Sequence, residues 1–327
     1  MKQGLPLLFA AVLLGVLCAP RVSSQDLSTG NLQRGSTGSP GILGGHEFVP
    51  SSYLRDPFVR TSLRTGLGFG MTPELVVPLV TINDTSLFGL KGSLLFALLD
   101  VEYQQRIRDW LAVRGRVKVI GRMADETPAL ISQGVTLFSI FELGWLIRIE
   151  ESDRFLLSGS LGIRNSSMTD VYLQRFIEGI VENGRITPAN KLVQTTPTLR
   201  GSAGLQGAYA MSDLVGLTFS GDLDYGESAD RFSPAEWSYS LSAAVDFNLL
   251  KSTGTPAGFI FGMETRSVAL GQRAGSQSAW TIFGRIGYTG SREFSLGIDL
   301  GYELMSVRGM EGRQGFLSAL IDTRLYF

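Results

Sequence analysis

From Phe58 onward the chain alternates apolar and polar positions with a period of two. Trp237, Tyr239, Leu241, Ala243, Val245, Phe247 and Leu249 share one parity, and Ser238, Ser240, Ser242, Asp246 and Asn248 the other. Phe294, Leu296, Ile298, Leu300, Tyr302 and Leu304 repeat the pattern against Ser295, Asp299 and Glu303. Successive side chains on a strand point to opposite faces, so each stretch predicts a strand with one dry and one wet face. Such segments fall near 58–69, 87–104, 109–123, 134–150, 153–165, 195–211, 214–227, 236–250, 257–270, 277–290, 292–307 and 315–327. They amount to about twelve strands, each long enough for the ~9–11 residues that cross a bilayer at a tilt. In the second segment the apolar phase changes between Leu94 and Val101, which predicts a β-bulge.

The connections fall into two kinds. Those around Arg106, Ser152, Ser212, Ser252 and Gly290 are short, and most of the others are longer. The longest, 165–194, carries Val171, Phe176, Ile177, Ile180 and Val181 at helical spacing before Gly184 and predicts a short amphipathic helix. Short turns at one end and long loops at the other are the pattern of a membrane barrel. Aromatics gather at both ends of the strands. Phe58, Tyr103, Trp110, Phe155, Tyr209, Phe247, Phe259, Tyr288, Phe294 and Phe327 lie toward the short turns, and Phe69, Phe88, Tyr225, Trp237, Trp280 and Tyr302 toward the long loops. Two belts are expected where rings sit at headgroup level.

The last strand, Gly315 to Phe327, puts Leu317, Ala319, Ile321, Thr323, Leu325 and Phe327 on one face and Ser318, Asp322 and Arg324 on the other. This ending resembles the C-terminal strand of bacterial outer-membrane β-barrel proteins. The resemblance implies that Phe327 and Leu325 form an assembly signal read by the barrel-assembly machinery, with outer-membrane lipid and lipopolysaccharide as surroundings. The fold expected is all-β: a single antiparallel transmembrane barrel of about twelve strands over residues 58–327.

Composition agrees. Of 327 residues 44% are hydrophobic and 18% charged, with 40 glycines and a mean hydropathy of +0.15. The charged fraction is below the ~25% usual in soluble domains. Lys2, the apolar run Leu5–Leu17 and Val22-Ser23-Ser24 predict a secretory signal peptide over 1–24, since the run is too short to span a bilayer. The single cysteine, Cys18, would leave with it, removing disulfide and thiol chemistry from the mature chain. Residues 25–57 are rich in Gly, Ser, Thr and Pro and predict a flexible periplasmic leader. With 29 basic against 30 acidic residues, the chain lacks the balance of a nucleic-acid binder.

Enzyme chemistry finds little to stand on. The one histidine, His46, falls in the leader, whereas a catalytic triad needs its base held rigidly beside the nucleophile. There is no Cys/His cluster for zinc, no phosphate-binding glycine–lysine loop and no dinucleotide fingerprint, so neither catalytic residues, metal nor cofactor are predicted. The informative chemistry is the expected lumen. Alternation turns Arg60, Arg64, Arg114, Arg116, Lys118, Arg122, Arg148, Arg164 and Arg200 inward in the first six strands, partly offset by Asp100, Glu102, Glu142 and Glu150. The last six turn in Asp222, Asp224, Asp246, Glu264, Asp299, Glu303 and Asp322 against Arg266, Arg285 and Arg324. A basic wall facing an acidic one resembles a porin and implies passage of small polar or charged solutes. Arg114, Arg116 and Lys118 form an expected anion-attracting rail, with Arg60 and Arg64 nearby and Arg200, Asp222, Asp246, Glu264, Asp299 and Glu303 as further selectivity residues. Two alternatives stay open: a closed barrel that binds partners through its outer loops, and the translocator barrel of an autotransporter. The short glycine-rich leader differs from the large passenger of that last family.

Overall fold

The computed structural model describes residues 41–82, 85–124, 135–171, 193–227, 234–268, 277–306 and 313–327. A two-stranded ribbon, β1 (Ile42–Leu43) and β2 (His46–Glu47), precedes twelve long strands. These are β3 (Ser62–Ile82), β4 (Thr85–Arg108), β5 (Leu111–Ala124), β6 (Val135–Glu151), β7 (Phe155–Val171) and β8 (Val193–Ala210). They continue as β9 (Val215–Gly226), β10 (Glu236–Asn248), β11 (Ala257–Val268), β12 (Gln277–Tyr288), β13 (Phe294–Ser306) and β14 (Arg313–Tyr326). One turn of helix, α1 (Leu250–Thr253), joins β10 to β11.

Each of the twelve pairs antiparallel with its chain neighbour, and β14 pairs antiparallel with β3, closing a twelve-stranded barrel. The seam runs from Tyr326 opposite Ser62 to Leu317 opposite Met71. Closure leaves no open sheet edge, as a sheet surrounded by lipid requires. Alternation sets the faces as the sequence indicates: Leu241, Ile298 and Leu300 are more than half exposed on the outside, while Asp246 and Asp299 are fully buried inside. Tyr103, Trp110, Tyr209, Phe247, Tyr288, Phe294 and Phe327 ring the short-turn end outside, and Phe69, Tyr225, Trp237, Trp280 and Tyr302 the other. Neighbouring rings touch within both belts, Tyr288 with Phe294 at 5.5 Å and Tyr225 with Trp237 at 4.8 Å.

Four expectations change. The β3–β4 ladder is unbroken from Ser62–Gln104 to Thr72–Leu94, so no bulge lies between Leu94 and Val101; the irregularities begin beyond Thr72. The phase change arises because Phe96 and Leu98 face inward, where Gly66, Gly68 and Gly70 leave room. Phe96 meets Phe316 edge-on at 5.1 Å, and Leu320 lies over Gly66 and Gly68. β3 starts four residues later than expected and extends to Ile82. Phe58 belongs to neither belt, because its ring packs inside on Phe48 at 5.6 Å. Residues 41–57, expected as flexible leader, instead enter the barrel. The expected signal peptide, residues 25–40, the side chain of Phe88 and most of the expected helix in the 165–194 loop lie outside the described residues.

Candidate functional site: a lumen filled by the N-terminal strap

Residues 41–57 form a strap that enters at the short-turn end, rises into the lumen and returns to β3. Its first turn is the Gly44–Gly45 pair between β1 and β2, with φ of 52° and 86°. A two-residue hairpin of this hand needs positive φ at both positions, which glycine adopts without strain. Gly44 sits against Asp153 and Arg154, and Gly45 against Asp213 and Lys251, in the short connections after β6, β8 and β10.

Four aspartates, three on the barrel wall and one in the strap, tie the two together. Asp246 of β10 takes His46 Nε2 at 2.6 Å on one oxygen and the Val49 backbone N–H at 2.7 Å on the other. His46 and Asp246 are both 0% exposed, and His46 Nδ1 lies 3.1 Å from the Asp213 carbonyl oxygen. Both ring nitrogens thus face acceptors. Asp299 of β13 accepts from Ser51 Oγ at 2.8 Å. Arg55, at the inner end of the strap, pairs with Asp222 of β9 at 2.8 Å and lies 3.6 Å from Glu142 of β6. Asp56 pairs with Arg60 and with Arg324 of β14. Burial opposes the Asp56 carboxylate, but the two guanidiniums outweigh it and hold its pKa below the ordinary value. Tyr53 hydrogen-bonds Ser318 at 2.7 Å and stacks on Phe283 at 5.1 Å. Asn248 donates to the Glu47 carbonyl, Gln104 to those of Phe58 and Arg60, and Ser158 to that of Pro57.

Inward glycines make room for these contacts. A Cβ at Gly216 would fall 2.6 Å from Phe48 and 2.7 Å from His46, one at Gly258 2.3 Å from Val49, and one at Gly301 2.2 Å from the Tyr53 oxygen. Around the strap every barrel strand supplies a buried inward residue. In ring order from β3 these are Arg64, Gln104, Ala112, Leu146, Leu156, Ala208, Thr218, Asp246, Ile260, Phe283, Asp299 and Arg324. A cavity of about 20 Å³ remains between the strap and the wall, beside Leu54, Arg55 and Thr218. That is room for about one water. With a buried inward residue on each of the twelve strands around it, the strap occupies this level of the lumen.

The predicted lumen residues do face inward, but most have partners. Asp100 takes Arg64 at 2.5 Å and Arg116 through two bonds of 2.9 and 2.6 Å. It stands on β4 between β3 and β5, so Arg64 and Arg116 are paired within their own wall. Across the lumen Glu264 lies near enough to Arg116 and Lys118, and Asp299 to Arg64, to attract them at longer range. Arg200 lines no passage: it donates to the backbone carbonyls of Glu227 and Glu236 and to Ser238 Oγ, bracing the long-loop ends of β8 to β10. Glu303 pairs with Arg266 at 2.6 Å, and Asp299 with Arg285 at 2.8 Å. Among the described residues, Arg114, Lys118 and Glu264 have no ion-pair partner within 4 Å. Arg114 is only 7% exposed and sits close to Arg55, Arg116, Glu102 and Glu142. Leu325 and Phe327 point outward at the short-turn end, with the Phe327 N–H donating to the Thr61 carbonyl.

No family model and no curated protein matches the chain. Among solved structures, an outer-membrane channel from Pseudomonas putida F1 superposes with a TM-score of 0.50 at 12% identity, over 86% of this chain and 100% of that one. The KdgM porin in complex with disordered oligogalacturonate gives 0.40 at 11% identity, over 81% and 99%. The translocator domain of the autotransporter NalP from Neisseria meningitidis gives 0.45 at 10%, over 82% and 88%. The first of these likenesses establishes the barrel fold.

Proposed function

We propose that the protein is a bacterial outer-membrane channel for small polar or charged solutes, and not an enzyme. The observation that carries this reading is the barrel's two-sided chemistry. An apolar, aromatic-belted exterior suits lipid, and a lumen lined by charged residues, glycines and serines on nearly every strand suits water. Among the described residues, Arg114 and Lys118 are inward cations with no carboxylate within 4 Å, at 13 Å or so along one strand by the ~3.3 Å rise per residue. They give the lumen an anion preference, narrower than the rail of Arg114, Arg116 and Lys118 the sequence suggests.

Planar-bilayer recording of the purified protein tests the reading. Replacing Arg114 and Lys118 together by Gln is expected to leave a conducting barrel whose reversal potential moves toward cations. The shift is expected to shrink as salt rises and the Debye length falls below ~10 Å. The strap that occupies the lumen favours a second reading, a closed barrel that binds partners through its loops. Wild-type protein that never conducts would select it.

A further inference from the structure

Resting on the channel reading, we infer that the 41–57 strap is a displaceable gate: solute passes when it leaves its place on the acidic wall, and not otherwise. Three observations meet here. The strap spans the lumen where all twelve strands present buried residues, so solute cannot pass beside it. Its polar anchors on the wall are groups that water satisfies equally well when it goes: Asp222, Asp246, Asp299, Ser318, Asn248 and Gln104. Apolar contacts hold it too, Leu43 and Phe48 on Leu156 and Ala208, and Val49 and Leu54 on Ala244, Ile260 and Phe283, so displacement also exposes these side chains; leaving buried carboxylates bare would be costly in a dry interior and is not in a wetted pore. Finally, the strap meets the short-turn face at both ends: its first turn lies against Asp153, Arg154, Asp213 and Lys251, and Thr61 beyond its other end is bonded to Arg106 and Phe327.

The glycine footprint also reads as a gate seat. Gly216, Gly258 and Gly301 offer flat backbone to His46, Val49 and Tyr53, so at these three positions no wall side chain enters the space the strap vacates.

The test locks the strap in place. An ideal Cβ at Gly258 lies 2.3 Å from Val49 Cγ2, which puts a Val49→Cys, Gly258→Cys pair within disulfide reach. With Cys18 changed to Ala the background holds no other thiol. In bilayers, the oxidised double variant is expected to show at least tenfold fewer openings than the same protein after reduction. A second variant, Asp246→Ala with Asp299→Ala, loosens the seat and is expected to open at least tenfold more often than wild type; it decides the matter where the disulfide does not form. Equal conductance in the oxidised and reduced states, or an unchanged opening rate in the loosened variant, overturns the gate while leaving the channel standing. Silence in every form, the loosened variant included, overturns both.

Discussion

Replacing Asp246 by Ala measures how tightly the strap is held. The carboxylate accepts from His46 Nε2 and from the Val49 N–H, and its surroundings are fully buried. Its loss orphans two polar groups, each at about 1–3 kcal/mol, roughly 2–6 kcal/mol together. The barrel ladder makes no use of the Asp246 side chain, so the penalty falls on strap docking and not on the barrel. Even 2 kcal/mol raises the undocked population roughly thirtyfold, since every 1.4 kcal/mol is a factor of ten. Trypsin reads that population through cleavage after Arg55, which in the docked strap is shielded between Glu142 and Asp222. Where redocking is faster than cleavage, the rate follows the undocked fraction. The variant in detergent is expected to be cut at Arg55 at least thirtyfold faster, while keeping the heat-dependent gel shift of a folded barrel. An increase of less than threefold with the barrel intact would refute the reasoning.

Three other outcomes are expected. Leu241→Arg, on the lipid face, should lower barrel stability by roughly 2–4 kcal/mol in vesicle unfolding, whereas Ser242→Asn, one residue on and inside, should cost little; equal losses would mean the faces are reversed. Deleting Phe327 should reduce the heat-modifiable fraction recovered from cells, and an unchanged fraction would separate this residue from assembly. Burial raises the Glu47 pKa from 4.5 to about 7, against the pull of Arg292, Arg60 and His46 and with a push from Asp246. An acid with a higher pKa docked than free is neutral in both states below about 4.5, and its burial opposes docking increasingly from there to about 7, above which the penalty is constant. A nitroxide at Ile42→Cys should therefore gain mobility between pH 5 and 8.5, and Glu47→Gln should flatten the change.

The barrel was legible because its signal is local. Period-two alternation along Trp237–Leu249 or Phe294–Leu304 needs no knowledge of the partner strand, and it assigned Asp246 and Asp299 to the inside correctly. The strap was not legible, because everything that orders it is distant in sequence. His46 meets Asp246 and Ser51 meets Asp299 across separations of 200 and 248 residues. Composition alone reads Gly41-Ile-Leu-Gly-Gly as a tether, and His46 as a histidine without a role. A trace did exist: Gly216, Gly258 and Gly301 occupy inward positions beside acidic ones, and gaps of that kind call for a filler. The charged walls misled for a related reason. Adding charges wall by wall ignores the cross-strand neighbours, and Asp100 between Arg64 and Arg116 pairs two of the basic residues before any solute arrives.

The strap's contacts also bear on how the cylinder is put together. It leads directly into β3, one lip of the seam, and it grips β10, β13 and β14, the last of which is the other lip. Pairing β3 with β14 otherwise requires joining chain segments some 250 residues apart, a loop whose closure entropy grows with its length. A strap already held by Asp246, Asp299 and Arg324 brings those lips together beforehand. The same seventeen residues that stop the finished bore can thus act as the clasp with which the ring is fastened, and a chain lacking them would be expected to close more slowly even where the completed cylinder is equally stable.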